Sequence, residues 1–391
     1  MKSDPVSGVQ PELLKWARKT VGLSVIEVAE TLNRTPEEIE GWEKGKNSPT
    51  YSQLEKLAYQ VYKRPLALFF LPIPPEEIQP QKEFRTLPDV DFQELSKDTY
   101  LHIRKAHAYQ YALKELFGES NPSERCIWKT ISLTLSNSIV EQALAIRDYF
   151  GITMQEQSRW KDDETALKWW RKALEDTGIF IFKSSFKQKE ISGFCLIDSE
   201  LPIIYLNNST TKTRQTFSLF HELSHLLFNI NGLSKFETSY ISRLPKKEKQ
   251  LETFCNAIAA EILIPSADFN QQTKTLPENA EKASDDQFSQ LANRYGVSRE
   301  AVLRKLLDMG RVGKTFYESK AKFWTEQMVK KGGHGNWYLN QGAYLSDRFT
   351  KEVVGRHYNQ QISLEHAADL LGIKPKNYAG FEERIMQGAS A

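Results

Sequence analysis

The stretch FSLFHELSHLLF at residues 217–228 decides how this chain is read. Wound as a helix, it carries Phe217, Phe220, Leu223, Leu227 and Phe228 as a buried stripe and sets His221 and His225 four positions apart on a common face. Two imidazoles one turn apart can reach a single cation, and Glu222 lies beside them, where a carboxylate can take the proton of an attacking water. With seven histidines in 391 residues, the pattern would arise by chance in roughly one such sequence in a hundred. Two packing histidines on a core helix are the plainer alternative. The amphipathic frame favours half of a hydrolytic metal site, aimed at a peptide carbonyl.

Two protein donors do not hold a catalytic dication, so a third has to come from another segment. Residues 250–265 read QLETFCNAIAAEILIP, an apolar helical stretch that stops before a proline and carries Glu252, Asn256 and Glu261. A helix packed against the first can present Glu252 to the metal, with Asn256 one turn later hydrogen-bonding one of the donors from outside. Glu261 competes with Glu252; otherwise it is a solvated carboxylate on the outer face.

These blocks resemble the ImmA/IrrE group of bacterial metallopeptidases. The likeness is carried by residues 173–208 (from ALEDTGIFIF through ISGFCLIDSELPIIYLNN), 214–228 (RQTFSLFHELSHLLF) and 252–265 (ETFCNAIAAEILIP), with LANRYGVSREAVLRKLLDMG at 291–310 similar to the family's closing helical segment. It covers about residues 166–310. The resemblance implies a gluzincin-like site with His221, His225 and Glu252 as ligands, Glu222 as general base and Asn256 behind the ligands. It also implies a narrow substrate range, typically a helix-turn-helix repressor cut after stress or foreign-DNA signals. Where the family usually has alanine and phenylalanine around the asparagine, this chain has Cys255 and Ile258, changes of packing that remove no ligand.

At the N-terminus, residues 11–19, 24–32 and 35–44 read as short helices with Leu13, Leu14, Trp16, Ala17, Val28, Ala29, Leu32, Ile39 and Trp42 inward, and residues 42–58 offer a glycine stop, a turn and two further helices. Residues 10–72 resemble the five-helix Xre/Cro-type helix-turn-helix domain, in which 35–44 would be the recognition helix. Thr35, Glu38, Lys44 and Lys46 are then the candidate DNA contacts. Charge opposes simple DNA binding. Glu37, Glu38, Glu40 and Glu43 crowd that helix, and residues 1–72 hold 10 Lys and Arg against 9 Asp and Glu, whereas phosphate contact depends on cations. A protein-docking module and a structural cap are the other readings of the head.

Between the motifs, residues 71–91 (LPIPPEEIQPQKEFRTLPDVD) form a proline-rich connection expected to be extended, with Phe84, Arg85 and Thr86 able to dock on a neighbour. Residues 92–118 read as helix, with Tyr100, Ile103, His107, Tyr111 and Leu113 as core candidates and His102 and His107 as packing or surface residues. Residues 138–150 and 163–177 are also helical, with Trp160, Trp169 and Trp170 as packing groups. Residues 178–182, 191–197 and 202–206 read as strands of a small sheet. Either 191–197 or 202–206 is expected at its edge, where a substrate could add as a further strand. Tyr205, Tyr240, Arg214 and His334 are possible oxyanion donors, and residues 232–251 read as an exposed loop and potential lid. Near the C-terminus residues 323–328, 343–357 and 364–371 look helical, KKGGHGNWY at 330–338 is a glycine-rich turn, and 363–378 has a helix-turn-helix-like rhythm.

A net charge of +2 gives no strong electrostatic footprint for a membrane surface or for wholesale coating of nucleic acid. No apolar run reaches about 18 residues, and the start MKSDPVSGVQ lacks a secretory core, so a cytoplasmic protein without membrane contact is expected. Cys126, Cys195 and Cys255, odd in number and widely spaced, suit reduced thiols. The fold expected is mainly α with a small β-sheet (α+β). Its parts are a five-helix helix-turn-helix domain at 1–72, a proline-rich linker at 73–95, a helical connecting region at 96–165, a zincin-like metallopeptidase domain at 166–312 and a helical region at 313–391. The expected function is a metal-dependent endopeptidase that cleaves a specific protein, a helix-turn-helix repressor, in a bacterial or phage stress or defence response. Zinc suits the donors, although manganese or iron can occupy them. DNA is a further possible partner through the head, and a dimer is possible. The alternative is a DNA-binding transcriptional regulator whose metal site is structural or sensory; a general-base carboxylate between the histidines argues for catalysis.

Overall fold

A computed structural model describes residues 4–77, 80–84, 87–88, 91–92, 94–235, 238–328 and 344–388. Arg85, Thr86, His334 and the glycine-rich turn at 330–338 lie outside the described residues. The chain forms two compact units, Met1–Lys105 with Phe186–Gln188, and Ala106–Ser185 with Lys189–Ala391.

In the first unit, Pro11 opens α1 (Pro11–Lys19) at a position whose N–H would have no helical partner. Ser24 and Glu27 close a reciprocal capping box on α2 (Val25–Leu32), with the Ser24 N–H donating to Glu27 Oε2 at 2.7 Å. Asn33 then takes φ 52°, ending that helix, and Thr35 Oγ1 accepts the Glu38 N–H at the start of α3 (Pro36–Glu43). Of the expected inward residues, Leu13, Leu14, Ala17, Val28, Ala29, Ile39 and Trp42 are buried, while Trp16 and Leu32 pack at the rim. Trp16 still carries a load there, because the Arg64 guanidinium sits 4.5 Å over its ring. Beyond the turn the chain departs from two separate helices. Helix α4 (Tyr51–Glu55) runs straight on as a π-helical segment Lys56–Tyr62, and the fifth element is the 3-10 turn Leu66–Phe70. Nor is the proline-rich stretch wholly extended. It contains a helical turn at Pro80–Glu83 and fully buries Phe84.

The second unit is built on a four-stranded mixed sheet in the order β1 (Phe180–Ser184), β3 (Ile203–Asn207), β2 (Ile191–Leu196), β4 (Leu233–Lys235). Strand β1 runs parallel to β3, and β2 is antiparallel to both β3 and β4. The expectation that β2 or β3 forms the edge is therefore wrong. Both are interior and buried along their whole length, Ser192 and Asn207 included, and the edges of the described sheet are β1 and the short β4. Alternation gives the sheet two apolar faces. Ile181, Cys195, Ile204 and Leu206 join the main core, whereas Phe182, Phe194 and Tyr205 face the rings of Tyr109 and Phe349.

Tyr109 comes from α5 (Lys97–Phe117) and stacks on Phe182 at 4.0 Å. The expected core residue was Tyr111, but it is 75% exposed; Tyr100, Ile103 and Leu113 are buried as expected. His102 stacks on Phe186 at 4.4 Å, a packing role. Ser138 and Asp162 cap α6 (Ile139–Phe150) and α7 (Asp163–Asp176). Trp170 on α7 meets Trp160 and Phe220 edge-on at 5.2 and 4.8 Å, while Trp169 is 48% exposed. Then come α8 (Lys212–Leu227), α9 (Lys246–Leu263), α10 (Asp285–Tyr295), α11 (Arg299–Asp308) and α12 (Lys314–Met328), the last starting nine positions before the expected 323. The tail holds α13 (Asp347–Tyr358), α14 (Leu364–Leu370) and α15 (Tyr378–Gly388), packed through Phe349, Val353, Ala367, Leu371, Tyr378 and Phe381. His357 and His366 pair with Glu382 and Glu115, so neither approaches a ligand cluster. No helix of the described residues is long and apolar enough to cross a membrane.

Candidate metal centre

Helix α8 starts at Thr211, whose hydroxyl accepts the Arg214 N–H, and is buried from Leu219 to Leu227 between the sheet and its helical neighbours. Such burial leaves polar side chains only one another for company. His221 Nε2 and His225 Nε2 stand 3.1 Å apart. Helix α9 packs alongside and brings in Glu252, with Oε1 at 3.2 Å from His225 Nε2 and Oε2 at 3.4 Å from His221 Nε2. Among the described residues these three form the one group whose donor atoms all lie within 4.8 Å of each other.

Those separations fit a metal. Bonds of about 2.05 Å put neighbouring donors about 3.3 Å apart in a tetrahedron; the imidazole nitrogens are 3.1 Å apart, and one Glu252 oxygen lies 3.2 Å from His225 Nε2 while the other lies 3.4 Å from His221 Nε2. Glu222 is fully buried with both carboxylate oxygens lacking a hydrogen-bond partner. A buried carboxylate is costly; the chain sets the Cys195 thiol and the Arg214 charge near it, and a metal-activated water would complete its surroundings. Three protein donors, no fourth in the cluster and a buried carboxylate beside them make a set that could hold an open, hydrolytic dication.

The surroundings orient the donors. Asn256 Oδ1 lies 3.0 Å from His221 Nδ1, so the expected pairing with a histidine is present. Cys255 Sγ is 3.8 Å from His225 Nδ1. Burial pushes the Glu252 carboxyl up, but the neighbouring His225 and the hydrogen bonds from both imidazoles outweigh it and hold the group well below the usual carboxylate range. Glu261 is elsewhere, and it is not the solvated group expected. It is buried, 2.7 Å from Lys305 Nζ, and accepts the Ser266 N–H and hydroxyl.

Of the possible oxyanion donors, Tyr205 lies on the sheet face turned away from α8, among Phe194 and Tyr109. Tyr240, in the 3-10 turn Thr238–Arg243, donates its hydroxyl to Glu252 Oε2 at 2.9 Å. Arg214 donates to the Lys235 carbonyl at 3.1 Å, tying α8 to the end of β4. Sequence reasoning missed Gly232. A β-carbon there would stand 2.4 Å from His225 Cδ2 and 3.0 Å from Glu222 Oε2, so only glycine lets the chain pass over the site into β4. The one available signal was the Asn-Gly pair at 231–232, which marks a turn but not what the turn passes over.

In the head, Thr35 and Glu38 sit in the first turn of α3, and Lys44 and Lys46 sit at its far end, with Lys44 Nζ 2.5 Å from Glu40. These four do not form one cluster. Glu43 leaves the acidic surface, because its carboxylate takes Arg18 Nε and Nη2 at 2.6 and 2.9 Å.

Residues 174–307 match the family model of the IrrE N-terminal-like domain, a peptidase family, and residues 14–58 match a helix-turn-helix family model. The chain is thus similar to an Xre-type helix-turn-helix domain over residues 14–58 and to a peptidase domain of the ImmA/IrrE type over residues 174–307. Every member of the buried cluster lies inside the first match. Among curated proteins nothing matches the chain.

Proposed function

We propose that this protein is a zinc-dependent endopeptidase that cuts one exposed bond of a helix-turn-helix repressor, with His221, His225 and Glu252 as ligands and Glu222 as general base. The observation that carries this reading is a group of three buried donors within 4.8 Å of one another, with the buried Glu222 carboxylate on the same helix between the two histidines. When bound, a zinc ion polarises the scissile carbonyl and brings the pKa of water towards roughly 7. Glu222, the buried carboxylate beside the histidines that is not one of the three donors, takes the proton of the attacking water and passes it to the leaving amine. Asn256 holds the His221 ring through Nδ1. The substrate backbone is held beside β4, an edge strand of the described sheet whose entry at Gly232 lies against Glu222. Manganese or iron suits the same donors in a cell that supplies them.

The competing reading makes the chain a DNA-binding regulator with a structural or sensory metal. A structural zinc site is normally closed by four protein donors, and the described cluster offers three. We keep DNA as a secondary partner of the head, through Thr35, Glu38, Lys44 and Lys46, and place the protein in the cytoplasm, where a repressor substrate resides. The deciding experiment incubates wild type and Glu222→Gln, each loaded with zinc, with the helix-turn-helix repressor encoded nearby. Fragments made by wild type alone are expected; equal cleavage by both removes Glu222 from its role.

A further inference from the structure

Each of the three converging donors has an outer neighbour. Asn256 stands behind His221 and Cys255 behind His225, and both are fixed on α9, the helix that carries Glu252 itself. Tyr240 differs. It approaches Glu252 from the 3-10 turn at Thr238–Arg243, and its buried hydroxyl donates to Oε2 at 2.9 Å, an oxygen 3.4 Å from His221 Nε2, while Oε1 faces His225 Nε2 at 3.2 Å and receives no hydroxyl. The two carboxylate oxygens are thereby made unequal. We infer that Tyr240 is a positioning residue that holds Glu252 Oε2 away from the metal, so that Glu252 acts as a one-oxygen ligand and the metal keeps a position open for water and substrate.

The physical argument is one of competition for lone pairs. A carboxylate free at both oxygens can close on a dication with both and fill the open position, whereas a hydrogen bond from a phenol engages one oxygen and lowers its donor strength. Because the phenol belongs to the segment after β4 and not to α8 or α9, displacement of that segment would release Oε2.

This inference rests on the metal-centre reading, and the test separates the two. Full-length wild type, Tyr240→Phe and Tyr240→Leu are titrated with Zn²⁺ against a chromogenic chelator, and each is loaded with Co²⁺ for its visible spectrum, with circular dichroism of the metal-free chains as the check on folding. Wild type should bind one ion and give the strong visible bands of a four-coordinate cobalt site. Tyr240→Phe should change affinity about 10-fold or more and weaken those bands as the second oxygen joins the coordination. A Phe variant with wild-type affinity and wild-type bands overturns the role of Tyr240 and leaves the metal centre standing. Wild type that takes up no ion overturns both. If the Phe variant does not fold, Tyr240→Leu, which also lacks the hydroxyl, is judged by the same two readouts.

Discussion

Gly232 contributes by having no side chain. Its α-carbon passes so close to His225 that an added methyl would lie 2.4 Å from the ring, and His225, fully buried, has nowhere to retreat without leaving the donor cluster. Gly232→Ala is therefore expected to cost about 1–3 kcal/mol of stability through overpacking and to weaken Zn²⁺ binding at least 10-fold by chelator competition; unchanged metal affinity would show that the ring can move freely. Burial at the neighbouring tryptophans yields a paired prediction. Trp170→Ala should cost about 3–5 kcal/mol in denaturant unfolding, while Trp169→Ala, at a 48% exposed position, should stay within about 0.5 kcal/mol. At this scale the sequence is a good guide where chemistry is local. His221, Glu222 and His225 share one turn of helix, so their mutual placement follows from the pitch alone. Gly232 was illegible, because what forbids a side chain there is a ring on another element.

Elements carry the next set of consequences. The Arg18–Glu43 pair joins α1 to the last turn of α3, with side chains 12% and 7% exposed. Removing the cation leaves a nearly buried carboxylate without its partner, so Arg18→Ala should destabilise the first unit by about 3 kcal/mol, measured as a lowered midpoint of its unfolding; Glu43→Gln should cost less, since an amide can still accept a hydrogen bond. On the peptidase side, Arg214 fastens the end of β4 through the Lys235 carbonyl. If substrate adds along that strand, Arg214→Ala should raise KM several-fold with a smaller effect on kcat, and a loss confined to kcat would assign Arg214 to the chemistry instead. Helix periodicity found α6, α7 and α8, whose caps Ser138, Asp162 and Thr211 and apolar stripes are written in neighbouring residues, and most of α9, which has no side-chain cap and begins at Lys246, inside the stretch 232–251 expected to be a loop. It misjudged the face of α5, where Tyr109 and not Tyr111 is buried, because both phases of that aromatic-rich helix look apolar until the sheet selects one.

For the molecule as a whole, a metal bound only by the folded chain must stabilise it. At free zinc about 100 times Kd the gain is about 2.7 kcal/mol, so zinc should raise the melting temperature of the peptidase unit and a chelator should abolish the rise, whereas His225→Ala should show no zinc-dependent shift. The mainly helical character, the small sheet and the two motif regions were present in the pattern of apolar residues, since periods of 3.6 and 2 are properties of the chain next to itself. Sheet order was not. Segments 191–196 and 203–207 are mostly apolar, with Ser192 and Asn207 the polar exceptions, and nothing in such a stretch tells an interior strand from an edge until its neighbours are in place. The amino-acid sequence by itself determined the two imidazoles, the carboxylate between them and the helix that bears all three, because those relations span four residues. The resemblance already pointed to Glu252, and the tertiary structure places it against both imidazoles and Glu261 elsewhere; only the tertiary structure decided that Tyr240 holds one of its oxygens and that β4 is an edge strand beside the site. Each of those depends on how separate elements pack, and packing is settled by burial of surface shared among distant parts of the chain.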